Sequence, residues 1–404
     1  MSAPVDRRFF LQALGISAAS LLAPFGCEDP NRYHDADIQR LAEQMRLEKK
    51  RAGRGPYGRH IYRGYRGLAD LPYFEIDAEG RLRCVVEDLP SVTDFHAHLG
   101  MSLLFAPTID WLKPTPRVRH FLDCDATDRG CELDLDVYVN ANFTESDLAL
   151  LREETVAQAG WGSEAAATHT IPNLLDEMNA MGIQRAVILP IALGLPFGDD
   201  LSRHWATAIE SSGSSKRLLA GASVHPRDPD AIASLRLQVA RGASALKLHP
   251  AVQRFYPDSP ELDPIYSECG KLGVPIFFHG GRAGIEPEYT HRYTLIRHYE
   301  NAVASHPEVQ FILGHAGARD VGDAIPLARR HKNLWLGIHG QGISVLRELI
   351  DKVGSNRLLF GSDWPFYHLG ASLAKVLIVT EGHPEERFAI LSGNAEMLLA
   401  QHGN

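Results

Sequence analysis

Short apolar runs alternate with longer stretches of helical period over most of this chain. The runs occupy residues 92–98 (VTDFHAH), 185–192 (RAVILPIA), 218–225 (LLAGASVH), 244–249 (SALKLH), 275–280 (PIFFHG), 311–316 (FILGHA), 334–339 (LWLGIH) and 357–363 (RLLFGSD). Near-continuous apolar strands separated by helices predict a parallel sheet covered on both faces. Eight such units within residues 91–404 suit an α/β fold of the closed (β/α)8 TIM-barrel type, whose usual size is about 250 residues. The surplus is one insertion, at about residues 99–165, between the first run and the helix predicted at IPNLLDEMNAM, which Gly182 ends. A loop of that length at the strand-exit end of a barrel predicts a lid over a site.

Residues 31–90 read as a small N-terminal extension. Ile38, Leu41 and Met45 recur at helical spacing, Gly53, Gly55 and Pro56 end that helix, and DAEG turns a hairpin within residues 73–90. Residues 49–67 are basic, with tyrosines between the arginines. The chain as a whole carries −9, so this run reads as a solvated arm and nucleic acid is not an expected partner. The apolar share of 45% and the charged share of 23% are those of a globular domain.

Residues 1–30 form a separate unit. Arg7 and Arg8 precede Phe10 and Leu11, and an apolar run follows from Ala13 to Phe25. This resembles a twin-arginine export signal, although Asp6 and Gln12 depart from its pattern. The resemblance implies the twin-arginine machinery as a partner and a periplasmic or membrane-anchored location, with Cys27 as the candidate for a lipid anchor. Of the five cysteines, Cys124 and Cys131 lie close enough in sequence to pair in an oxidising compartment, with two free thiols as the alternative.

The ends of the apolar runs carry the chemistry. They place His96 and His98, His225, His249, His279, His315, His339 and Asp363 at the ends of seven of the eight runs. In a closed barrel those ends converge on one face. Strand alternation puts His96 and His98 on one side and Phe95, Ala97 and Leu99 on the other. Imidazoles with a carboxylate supply the donors that zinc or another first-row divalent ion prefers. His225, just before Pro226, reads as structural.

Taken in order, His-x-His, KLHP, FFHGG, LGHAG, GSDWPF and ILSGNAEMLL resemble the amidohydrolase superfamily. Within it they resemble the amidohydrolase-related branch that includes aminocarboxymuconate semialdehyde decarboxylase and aromatic acid decarboxylases. The resemblance covers about residues 91–400 and omits the extension and the insertion. It implies one divalent ion, zinc first and manganese or iron as alternatives, held by His96, His98, His279 and Asp363. It implies His315 and Asp363 as catalytic groups, with metal-bound hydroxide attacking an ester, lactone or amide of a small, carboxylated substrate. Non-oxidative decarboxylation of an aromatic or unsaturated acid uses the same ligands and stands as the alternative. A non-catalytic binding protein on the same barrel is a third reading. Lys247 is a candidate bridge in a two-ion site that would also engage His315. His249, Arg282 and His339 are candidate substrate contacts, Arg282 because a guanidinium bonds a carboxylate bidentately. A homodimer is compatible with all of these.

Overall fold

The computed structural model describes residues 32–125, 131–195, 197 and 199–400. The expected export signal and Cys27 lie outside the described residues. The chain divides into a short unit ending at Ala42 and a large unit from Glu43 onward. In the short unit the helix Asp35–Arg51 begins, and the Asp37 carboxylate accepts the His34 N–H at 3.0 Å. The extension's hairpin pairs Phe74–Ile76 with Leu82–Cys84 antiparallel.

Eight parallel strands build the large unit. They are β1 (Val92–Ala97), β2 (Ile183–Ile188), β3 (Leu218–Ala220 and Ala222–Ser223), β4 (Leu246–Leu248), β5 (Ile276–Phe278), β6 (Phe311–Leu313), β7 (Leu334–Gly337) and β8 (Leu358–Leu359). Each pairs with the next in chain order. The circle is completed where the chain past β8 meets β1. Phe95 N–H donates to Phe360 O at 2.9 Å, Asp363 N–H to His96 O at 2.7 Å, and His98 N–H to Trp364 O at 2.7 Å. The fold is the expected TIM barrel.

The strands show why. Phe277, Ile312, Trp335 and Leu359 point into the barrel. Their neighbours Phe278, Phe311, Leu313, Leu334 and Leu336 point out toward the helices, as a period of two requires. The helix Ile171–Met181 buries Ile171, Leu174, Met178 and Met181 at helical spacing, and ends at Gly182, which holds a φ of 70°.

Strand β1 breaks the alternation that the sequence predicts. Its pairing with β2 slips between Asp94 and Ala97. Phe95 therefore stacks 6.4 Å from Phe277, and His96 lies 4.6 Å from the same ring. Phe95 does not share the outer side with Ala97, because an irregular register turns two successive side chains inward.

The insertion lies over the strand exits and is tied down by its backbone. Phe121 N–H donates to Pro365 O at 3.2 Å, Leu122 N–H to Phe366 O at 3.0 Å, and Val139 N–H to Gly340 O at 2.8 Å. Its strand Glu132–Asp134 pairs antiparallel with Ile61–Arg63 of the extension. Its helix Glu145–Gly160 starts with a capping box between Thr144 and Asp147. Cys124 and Cys131 are joined in a disulfide, with Cα atoms 5.1 Å apart. Among the described residues no helix is long and apolar enough to cross a membrane.

Two measurements test this packing. Phe278 is 1% exposed among Tyr266, Tyr299 and Phe311. Phe278→Ala is expected to cost about 3–5 kcal/mol in denaturant unfolding. His169, fully buried at the base of the insertion, binds the Arg119 carbonyl at 2.8 Å. Burial lowers its pKa to about 3, and the Arg119 bond offsets that only in part. The unfolded chain takes up this proton near pH 6.5 and the native chain does not, so stability must fall as pH drops from about 6.5 toward 3. His169→Gln should flatten the stability–pH curve there by about 1.4 kcal/mol per pH unit. An unchanged slope would contradict the assignment.

Candidate metal centre

The strand exits bring most of the expected residues together. Asp363 Oδ1 lies 3.2 Å from His96 Nε2 and 3.1 Å from His98 Nε2. Its other oxygen faces His339 Nε2 at 3.5 Å. His315 Nε2 meets His279 Nδ1 at 3.1 Å, and the His279 ring stacks on His249 at 4.1 Å. His96, His315 and Asp363 form the tightest group, each offering a donor atom within 4.8 Å of the others. His315, which the resemblance assigns to catalysis, thus lies among the donors, with His279 directly behind it. His225 accepts the Arg227 N–H at 3.3 Å and caps a turn.

This arrangement asks for a cation. His98 Nδ1 lies 2.6 Å from Leu189 O, so that nitrogen carries the proton and donates it. In the neutral ring Nε2 is then a bare lone pair aimed at a carboxylate oxygen, and two such acceptors repel unless a positive charge sits between them. Four further buried nitrogens, His96 Nδ1, His279 Nε2, His315 Nδ1 and His339 Nε2, have no hydrogen-bond partner. Burial holds the His96, His279 and His339 rings well below the usual histidine range and His315 at about 3, so all four are neutral at pH 7. Neutral imidazoles beside a carboxylate fit a first-row divalent ion.

Lys247 Nζ sits 3.5 Å from His96 Nε2 and 4.6 Å over the Phe277 ring. Burial pushes its pKa down to about 7, with the Asp363 charge opposing the shift. Arg282 requires a correction. It is 1% exposed, and Asp320 takes its Nε at 2.9 Å, its Nη2 at 2.5 Å and its backbone N–H at 3.1 Å. That bidentate pairing occupies the fork a substrate carboxylate would need, so Arg282 braces the loop after β5.

Several contributors escape the strand-end pattern. Ser372 Oγ lies 3.2 Å from His339 Nδ1 and fixes that ring from a helix. Gln341 Nε2 donates to His315 O at 2.6 Å and Ala318 O at 2.9 Å. It braces a turn in which His315, Ala316 and Ala318 all have positive φ, a conformation L residues adopt only when held. Tyr367 stands 4.9 Å from His339, and its hydroxyl donates to Asn140 of the insertion. Burial keeps Tyr138 and Tyr367 well above the usual phenol range, so both are neutral donors at pH 7. None of these four is marked by periodicity or by a strand end. Gln341, two residues past His339, is the one a wider search of the strand exits would have caught.

No curated protein matches the chain. Among solved structures, a TIM-barrel protein of Bordetella bronchiseptica aligns at 23% identity over 59% of this chain and 86% of its own, with a TM-score of 0.52. The 2,6-dihydroxybenzoate decarboxylase of Rhizobium aligns at 17% identity over 76% of this chain and 99% of its own, with a TM-score of 0.50. Both are likenesses of fold. The family model described as "Amidohydrolase" matches residues 158–400, more than half of the chain, and the strand exits from β2 to β8 fall inside that match. The chain belongs to the amidohydrolase family.

Proposed function

We propose that this protein is an exported, metal-dependent hydrolase that cleaves an ester, lactone or amide of a small carboxylated molecule. The observation that carries the proposal is the convergence of the His96 and His98 Nε2 atoms on one oxygen of Asp363. His96, His98 and Asp363 would hold a divalent ion, zinc first, together with one nitrogen of the His279–His315 pair. Such an ion, when bound, supplies a Lewis acid that makes water reactive at neutral pH and polarises a carbonyl.

The chain's own groups supply the rest. Asp363 takes the proton from the attacking water and returns it to the leaving group. The nitrogen of the His279–His315 pair left over from metal binding donates to the oxygen on which charge develops. His339, steadied by Ser372, faces the second Asp363 oxygen at 3.5 Å and lines the site on that side. Tyr138 and Tyr367, with the insertion bonded over the strand exits, keep bulk water out.

A second reading is non-oxidative decarboxylation of a flat acid; decarboxylation is the activity in the name of the Rhizobium protein, which aligns over nearly its full length. Phe366, 6.2 Å from the His98 ring, and Tyr367 give the site an aromatic wall suited to a flat acid. There Asp363 would deliver the proton to carbon.

Elemental analysis should find one metal equivalent per chain, lost in His96→Ala. Two equivalents would make Lys247 a bridging ligand, and none would sink both readings. Asp363→Asn should lower turnover by about 100-fold or more. Release of carbon dioxide without consumption of water would replace hydrolysis by decarboxylation. Export would be contradicted by a reporter fused to the first 30 residues that stays in the cytoplasm.

A further inference from the structure

Beside the donor cluster lies a buried carboxylate that the proposed chemistry does not use. Glu177 projects from the helix Ile171–Met181 and is 8% exposed. Its Oε2 accepts from Trp364 Nε1 at 3.2 Å and faces His120 Nε2 at 3.0 Å. Its Oε1 accepts from the Leu369 N–H at 2.7 Å, and His368 Nδ1 lies 3.8 Å away. Burial pushes the carboxyl up, but His368 and His120 outweigh it and hold its pKa at about 2. A charged group is kept out of water here, which costs stability unless its partners are fixed.

Those partners come from two places. His120 belongs to the insertion, whereas Trp364, His368 and Leu369 belong to the segment that follows Asp363. Asp363 itself has a φ of 60°, in the left-handed region that an L residue occupies only when its neighbours hold it there. On one side the hold is the bond from Asp363 N–H to His96 O. On the other side Glu177 grips both ends of Trp364–Leu369, while Phe121 and Leu122 of the insertion bond to Pro365 and Phe366 between them. Tyr65 backs this arrangement, donating its hydroxyl to Leu122 O at 2.7 Å and stacking 5.5 Å from His368.

We propose that Glu177 is a positioning residue whose buried carboxylate locks the Trp364–Leu369 segment, and with it the Asp363 carboxylate, to the insertion through His120. The proposal rests on Asp363 being a metal donor, as proposed above. Glu177 is not a member of the proposed donor set and acts through Trp364 and Leu369.

Cobalt(II) reports the geometry directly through its visible absorption, and titration gives its affinity without a known substrate. The measurement compares wild type, Glu177→Gln, Trp364→Phe and the double variant. Glu177→Gln keeps the side chain's size and removes its charge. It is expected to weaken cobalt binding about tenfold and to change the visible band. The double variant should lose less than the two single losses combined, because the two changes share the Trp364 link. A packing role alone would lower the melting temperature and leave band and affinity at wild-type values, and that result overturns the proposal. So do fully additive losses in the double variant. If Glu177→Gln does not fold, Trp364→Phe decides alone: a shifted band supports the link and an unchanged one overturns it. Wild type that takes up no cobalt overturns the metal reading along with this one, whereas cobalt-binding wild type with an unchanged Glu177→Gln overturns only the role of Glu177.

Discussion

The buried carboxylate of Asp94 joins the first barrel strand to the last, and the candidate site exists because of that junction. Its oxygens accept the His96 N–H and the Ser362 N–H, both at 3.0 Å, and the Ser362 hydroxyl. Burial pushes the Asp94 carboxyl up to about 7, and the bonds from Ser362 and His96 pull against that rise. With the backbone bonds on either side, this one group sets His96 and His98 beside Asp363, although more than 260 residues separate them in the chain. Gly361 belongs to the same constraint, since a Cβ there would come within 2.8 Å of the His96 Cβ.

Around this junction the protein accepts local strain. Positive φ angles at His315, Ala316, Ala318 and Asp363 gather at the strand exits. Gly281 shows how tight the approach is: a Cβ there would lie 1.8 Å from the Gly317 carbonyl oxygen, between the loops that carry His279 and His315. Gln341, Ser372 and Asp320 are the polar braces that keep such loops in place. The donors are therefore oriented by the surrounding framework before any ligand arrives, which lowers the cost of binding one.

Much of this was legible in the order of residues. The eight apolar runs became the eight strands, because continuous burial on two faces leaves little else for Phe277 or Ile312 to do. The histidines that end those runs met at one mouth, because parallel strands share one exit. Other features were hidden because they depend on contacts between distant segments. The slip in β1 depends on how that strand meets β2, so simple alternation misplaced Phe95. Arg282 looked like a substrate grip because its partner Asp320 lies 38 residues further on, in another loop. Glu177 and Ser372 sit on helices whose apolar period gives no hint that one polar face looks inward. The insertion was visible in the sequence by its length, while the bonds that fasten it fall on backbone atoms that any residue could have supplied.

The junction between β1 and β8 also fixes when the site can come into being. His96 and His98 leave the ribosome early, but their carboxylate partner arrives only after Asp363 and Trp364 have been made. Domains fold as units once their sequence is complete, so no shorter nascent chain can present the full donor set. An ion captured by this site therefore certifies a finished barrel. Ion binding would thus report on the completeness of the fold as well as on the site itself.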